Sequence, residues 1–169
     1  MRVAGFVNDS ITDGPGFRFT LFLQGCKRGC PGCHNPDTWD PAGGSEMGAE
    51  EIFEKIARNP LLSGVTFSGG EPFLQAGALL PLARKIKAVG LELAVYTGYT
   101  FEELLGLPEA LPLMAEADVL VDGPFVAAQK SLELRFRGSA NQRILDLPAS
   151  LQAGRAVLLT DPRWTGELI

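Results

Sequence analysis

Cysteine and histidine are scarce in this chain, and their scarcity limits the kinds of site it can build. The sequence of 169 residues contains three cysteines and one histidine. An odd number of thiols, all of them between residues 26 and 33, does not suit the disulfide framework of a small secreted protein. In a reducing compartment, clustered thiols more often bind metal. We therefore expect a bound metal ion or cluster here.

Positive charge and long apolar runs are also lacking. Lys and Arg together number 15, against 20 Asp and Glu, which gives a net charge of −5. This balance argues against a nucleic-acid or anionic-membrane surface. No apolar run approaches the roughly 20 residues that span a bilayer, and the segment Met1–Val7 reaches polar Asn8 too soon for a signal-peptide core. We expect a cytoplasmic protein with neither nucleic acid nor membrane as a partner.

The length and the hydrophobic pattern predict one α/β domain over residues 1–169. Strands alternate with helices, so the central sheet should be mainly parallel, with right-handed crossovers. Thr100 and Glu103 have the capping-box form that opens a helix. The predicted strands are Arg2–Val7, Phe17–Leu23, Gly64–Ser68, Leu91–Tyr96, Val119–Val121, Arg143–Leu147 and Ala156–Leu159, and the two longer predicted helices are Glu50–Arg58 and one from near Pro81 to Gly90.

Three predicted strands end in residues with special chemistry. Cys26 follows the second strand, the turn Gly69–Pro72 follows the third, and Asp122 follows the fifth. Because α/β folds build their sites at the C-terminal ends of parallel strands, we expect these segments to meet.

The cysteine loop, Cys26–Cys33, cannot be helical, because it contains two glycines and a proline. Its thiols could be free structural groups, ligands of a zinc ion with His34 as the fourth ligand, or ligands of an iron–sulfur cluster. Cys33 and His34 are adjacent and poorly placed to bind one ion together. Three thiolates would leave one iron of a cubane cluster without a protein ligand, and such an open position can bind and activate a small molecule.

The spacing Cys-x3-Cys-x2-Cys after a strand resembles the signature of radical S-adenosylmethionine (SAM) enzymes. The longer text is similar to activating enzymes of glycyl-radical enzymes, and most of all to activators of the anaerobic (class III) ribonucleoside-triphosphate reductase. The resemblance runs in order from about residue 9 to residue 147. The segments that carry it are Asp13–Arg18, Gln24–Trp39, Gly64–Phe73, Tyr96–Leu104, Val119–Phe125 and Phe136–Ile144.

This resemblance implies an incomplete TIM-like β/α barrel of the radical SAM type, with mostly parallel strands and one open side. It also implies a [4Fe-4S] cluster with one open iron, held by Cys26, Cys30 and Cys33, and SAM bound to that iron. A one-electron donor such as flavodoxin or ferredoxin would reduce the cluster, and SAM would give methionine and a 5′-deoxyadenosyl radical. That radical would take a hydrogen atom from a glycine in a loop of the reductase. The cofactor carries the hard chemistry, so no catalytic residue is implied beyond the cluster ligands.

The same resemblance assigns cofactor-binding residues. Gly69, Gly70 and Glu71 match the segment at the SAM amino group, although a strand-to-helix turn explains the two glycines equally well. Asp122 is expected at SAM or its ribose, with a turn-forming role as the alternative.

Gly32 of the cysteine loop and His34, which follows the loop, are expected on the adenine side of SAM. His34 would touch the adenine there, or else be a solvated loop residue. Gly32 stands where an aromatic residue often precedes the third cysteine, which leaves open what packs on the adenine.

Two other functions remain open at this stage. The first is an activase of another glycyl-radical enzyme, of the pyruvate formate-lyase type. The short chain favours the reductase activator over it, because there is no room for an inserted ferredoxin-like domain. The second, from a different class, is a non-enzymatic iron–sulfur or zinc-binding module.

Arg135, Arg137 and Arg143 form a basic cluster in an acidic sequence, next to the distinctive segment Gly138–Gln142. Such clusters are usually salt-bridged or solvated, but the neighbouring segment suggests a role in holding SAM or docking the reductase. Replacing Arg137 with Ala is then expected to weaken SAM binding or complex formation, each measured by titration. Unchanged affinities for both would contradict this hypothesis.

Overall fold

Seven strands form one mixed sheet in the computed structural model, which describes residues 1–166. In chain order they are β1 (Arg2–Ser10), β2 (Phe17–Leu23), β3 (Ser45–Glu46), β4 (Leu62–Gly69), β5 (Glu92–Tyr96), β6 (Val119–Asp122) and β7 (Arg143–Asp146). The order across the sheet is β3-β1-β2-β4-β5-β6-β7. The four strands β2, β4, β5 and β6 are parallel, whereas β1, β3 and β7 pair antiparallel.

The helices are α1 (Ala49–Ala57), α2 (Ala76–Ala88), α3 (Phe101–Leu105), α4 (Leu111–Glu116), α5 (Leu147–Ala153) and α6 (Pro162–Thr165), with 3-10 turns at Pro36–Thr38, Pro72–Gln75 and Ala127–Gln129. In residues 1–166, no helix is long and apolar enough to cross a membrane.

The order of strands and helices confirms the α/β class and the parallel centre of the sheet. The sheet is open, with β3 and β7 at its edges, and the partial barrel stays a prediction.

The predicted strand Phe17–Leu23 is confirmed at both ends, and five others are confirmed within a few residues. The predicted strand Ala156–Leu159 is wrong, since only Leu158 forms an isolated bridge, to Leu145. The start of α2 near Pro81 is also wrong, because the helix begins at Ala76. Pro81 lies on its exposed side, where water can satisfy the carbonyl that has lost its backbone donor.

The two faces of the parallel strands have different environments, as the alternation of side chains along a strand requires. Phe19 and Leu21 of β2, with Val65 and Phe67 of β4, belong to the main apolar core. That core also contains the buried side chains of α1, α2 and α4. The opposite face is more polar and carries Arg18, which is fully buried.

A partly buried ion pair joins the polar face of the sheet to α6. The guanidinium of Arg18 donates to Glu92 Oε1 at 2.9 Å and to Thr66 Oγ1 at 2.8 Å. It also lies 5.3 Å from the ring centroid of Trp164, whose Nε1 donates to Glu92 Oε1 at 3.2 Å. A buried charge such as that of Arg18 requires partners of this kind. Because Trp164 contacts both members of the ion pair, it also holds α6 against the sheet.

We expect replacement of Trp164 with Ala to lower the free energy of unfolding by about 3–5 kcal/mol, because it removes a fully buried indole and uncovers the ion pair. Urea denaturation followed by circular dichroism measures this change. Leu132 is 94% exposed, and Leu132→Ala serves as the control, with an expected change within about 0.5 kcal/mol. Equal effects of the two substitutions would contradict this account of α6.

Candidate functional site

A cavity of about 890 Å³ lies at the C-terminal ends of β2, β4 and β5. Its volume is in the range of small-molecule sites, about 300–1,000 Å³. It brings together most of the residues predicted from the sequence, namely Cys26, Cys30, Cys33, His34, Gly69, Gly70 and Glu71. Gly32 and Asp122 do not line it. The expected meeting of the first two strand ends is confirmed.

The cysteine loop is irregular, as its glycines and proline predict. Gly29 and Gly32 have φ values of 57° and 74°, in the left-handed region that favours glycine. Within the loop, Cys33 N donates to the carbonyl of Cys30 at 3.1 Å. The thiols of all three cysteines are free and half-buried. Their side chains therefore face one cavity from a loop with a defined conformation.

The three thiols are compatible with an iron–sulfur cluster. Within residues 1–166, no group of three or more His, Cys, Asp or Glu side chains is placed to hold a metal ion. In a cluster each thiolate binds its own iron, so the sulfurs need not converge on one point. Burial raises the pKa of the Cys26 thiol, opposed by the backbone N–H of Arg28. Since metal ligands are thiolates, binding iron would release this proton.

The Gly69–Glu71 turn is hydrogen-bonded to the chain that enters the cysteine loop. Gly70 N donates to the carbonyl of Leu23 and Glu71 N to the carbonyl of Gly25, each at 2.8 Å. A Cβ on Gly69 would lie 2.5 Å from Leu23 N, and one on Gly70 would overlap the Gly25 carbonyl oxygen. The close backbone approach that these glycines allow is therefore made, at least in part, to the protein itself.

Glu71 is buried, at 2% exposure, and its carboxylate is hydrogen-bonded on both oxygens. Oε1 accepts from Thr97 Oγ1 at 2.7 Å and from Phe73 N at 3.2 Å, and Oε2 accepts from Gly98 N at 2.8 Å. Burial raises the pKa of Glu71, and these hydrogen bonds oppose the rise. The carboxylate thus links the end of β4 to the end of β5.

Arg28 is a cavity residue that the sequence analysis did not single out. Its Nη2 donates to Glu103 Oε2 at 2.7 Å, and its guanidinium lies 4.6 Å from the ring centroid of Tyr99. The capping box is consequently half formed, because Thr100 Oγ1 accepts from Glu103 N while the Glu103 carboxylate binds Arg28. The position of Arg28 between Cys26 and Cys30 was the sequence feature that could have indicated its place in the cavity.

Asp122 ends β6 as predicted, but its carboxylate turns away from the cavity and is 1% exposed. It accepts from Phe101 N at 2.8 Å and from Arg143 Nε at 3.0 Å. Arg143 also pairs with Glu102, and the two carboxylates hold the pKa of Arg143 above its ordinary value. These contacts join β6, β7 and α3, so the role of Asp122 at SAM stays a prediction.

The three arginines of the predicted basic cluster lie in different environments. Arg143 is salt-bridged, and Arg135 makes a long hydrogen bond, at 3.4 Å, to the carbonyl of Arg163. Arg137 lines the cavity and donates from Nη1 to the carbonyl of Gln142 at 2.7 Å. Its buried Nε has no hydrogen-bond partner in the described part of the chain. Of these three arginines, only Arg137 lines the cavity, and its Nε is a donor that a ligand there could use.

Comparison with known proteins gives a consistent picture. The profile of the 4Fe-4S single cluster domain family matches residues 12–145. The anaerobic ribonucleoside-triphosphate reductase-activating protein of Vibrio cholerae is 37% identical over 143 residues, which are 79% of this chain and 90% of that protein. Its counterpart in Haemophilus influenzae is 35% identical over 154 residues, covering 85% and 97% respectively.

A second group of relatives carries a different name. The pyruvate formate-lyase-activating enzyme of Clostridium pasteurianum is 42% identical over 113 residues, which are 62% of this chain. The matched part is 48% of that enzyme, so the chain spans about half of its length.

We expect Gly70→Ala to lower the iron and sulfide content obtained by anaerobic reconstitution, because the added methyl group would displace the Gly25 carbonyl just before Cys26. The matched control is Gly77→Ala in α2, where an added Cβ meets nothing within 4 Å. That variant should take up iron like the parent chain. Full iron content in Gly70→Ala would show that the backbone contact does not position the cysteine loop.

Proposed function

The chain belongs to the family of anaerobic ribonucleoside-triphosphate reductase-activating proteins, and we propose that it is a radical SAM enzyme that activates this reductase. It also carries the 4Fe-4S single cluster domain. The observation that carries the proposal is that three thiols face one cavity beside the Gly69–Glu71 turn. The relatives that share nearly their whole length with this chain carry the reductase activator's name, whereas the pyruvate formate-lyase activase shares about half.

When bound, the [4Fe-4S] cluster and SAM supply a 5′-deoxyadenosyl radical, formed when one electron from an external donor breaks the bond between sulfur and C5′ and releases methionine. This chemistry would remove one hydrogen atom from a glycine Cα of the reductase and would leave 5′-deoxyadenosine and a glycyl radical. Flavodoxin or ferredoxin is the proposed donor class, and the cytoplasm is the proposed location.

The chain's own residues hold the reactants. Cys26, Cys30 and Cys33 would hold the cluster, and the iron without a protein ligand would be available to the amino and carboxylate groups of SAM. Gly69 and Gly70 line the same cavity and would form the wall beside those groups through their backbone.

Two features of the fold belong to the same proposal. Residues 1–169 form one radical SAM domain, supported by the single continuous sheet of the described residues. The sheet is a partial β/α barrel whose open side admits the glycine loop of the reductase. The polar inner face of its parallel strands supports this interpretation.

The expected result of anaerobic reconstitution with iron and sulfide, followed by dithionite and SAM, is 5′-deoxyadenosine, measured by chromatography. Cys30→Ala should abolish it, because one iron loses its ligand. A full cluster without 5′-deoxyadenosine would support the non-enzymatic module instead.

Activation is tested by electron paramagnetic resonance after adding the anaerobic reductase or, in a parallel sample, pyruvate formate-lyase. We expect the glycyl radical signal with the reductase. A signal only with pyruvate formate-lyase would favour the second group of relatives.

A further inference from the structure

Phe125 lies in the segment that follows β6 and lines the same cavity as the three cysteines. Its ring is half-buried and stands against His34, with 4.9 Å between ring centroids and 51° between ring planes. Such tilted aromatic pairs are favourable in their own right and present a rigid apolar surface. The cavity therefore has an aromatic wall directly beside the cysteine loop.

The ring of Phe125 occupies the space next to Gly32. A Cβ built on Gly32 would lie 3.4 Å from Phe125 Cε1, and the φ of +74° at this glycine disfavours any other residue. A side chain before the third cysteine would thus contact the ring of Phe125. The aromatic group missing from the cysteine loop is supplied here by a distant part of the chain.

The segment Gly138–Gln142 fixes the position of this ring. A Cβ on Gly138 would lie 3.1 Å from Phe125 Cδ2 and 3.5 Å from His34 Cε1, so the glycine lets the loop pack closely on both rings. On either side of Phe125, Asn141 Nδ2 donates to the Pro124 carbonyl at 2.7 Å and Val126 N donates to Ser139 Oγ at 3.2 Å. The ring is therefore held in place before any ligand binds.

Resting on the function proposed above, we propose that Phe125, supported by His34, is the surface on which the adenine of SAM stacks. An adenine has a flat π-face, and stacking on an aromatic side chain is worth about 1–3 kcal/mol per base. Arg137 adds a donor to the same cavity, since its buried Nε lacks a partner within residues 1–166 and purine ring nitrogens accept hydrogen bonds. Phe125 is thus a residue that determines recognition of the nucleoside.

The test uses three probes on the reconstituted full chain. S-adenosylhomocysteine carries both the nucleoside and the amino acid, 5′-methylthioadenosine carries only the nucleoside, and methionine carries only the amino acid. Phe125→Ala should weaken binding of the first two by about 5- to 150-fold in anaerobic calorimetry and leave methionine binding unchanged. Phe125→Trp should retain binding of both nucleosides, because it restores a stacking surface.

Phe6→Ala is the matched control, because Phe6 packs on Phe19 and does not line the cavity. It should change none of the three affinities. Loss of methionine binding together with nucleoside binding in Phe125→Ala would overturn the proposal, since it would mean a disturbed cysteine loop. Parent-like affinity for 5′-methylthioadenosine in that variant would overturn it as well.

These outcomes are separate from those that test the activase. If the parent chain binds the nucleosides but forms no 5′-deoxyadenosine, the proposed function fails and the adenine surface stands. If it forms 5′-deoxyadenosine and Phe125→Ala binds nucleosides normally, only the adenine surface fails.

Discussion

The backbone contact between the Gly69–Glu71 turn and the end of β2 is the constraint on which the site depends. Two strands in parallel register already place Leu23 beside Gly69, and two further hydrogen bonds continue the pairing beyond the strands. The turn and the end of β2 approach so closely that no Cβ fits at Gly69 or Gly70. The first cysteine follows at once, so the position of the cysteine loop is set by the sheet.

Two buried carboxylates connect the ends of the other parallel strands to neighbouring segments by hydrogen bonds. Glu71, after β4, holds the turn after β5 through Thr97 and Gly98. Asp122, at the end of β6, holds Phe101 at the start of α3. Each carboxylate is buried and accepts hydrogen bonds from neighbouring segments, which is the condition under which a buried charge is tolerated. Local hydrogen bonds therefore connect the C-terminal ends of these strands to their neighbours. The two carboxylates have this structural role wherever SAM itself binds.

The sequence predicted the parts of the fold that depend on local pattern. The strand Phe17–Leu23 and the irregular cysteine loop follow from apolar runs and from glycine and proline chemistry, and the structure has both. The antiparallel edges and the start of α2 before Pro81 depend on which segments meet in space, and periodicity does not report that. The same holds for the contact of Arg28 with Glu103, which are 75 residues apart in the chain.

The aromatic wall shows why such nonlocal contacts matter for function. At Gly32 the sequence shows only the absence of a side chain, and the ring that fills the space arrives from Phe125 after β6. That ring is held by amide and hydroxyl side chains of the segment Gly138–Gln142, which is itself anchored by Gln142 Nε2 on the carbonyl of Gly123 at 3.1 Å. The sheet thus fixes the cysteine loop through backbone contacts, and a later loop fixes the adjacent aromatic wall through side chains. A ligand that touches both walls must therefore bind more tightly when both are in place, which couples recognition of the nucleoside to the folding of the C-terminal third of the chain.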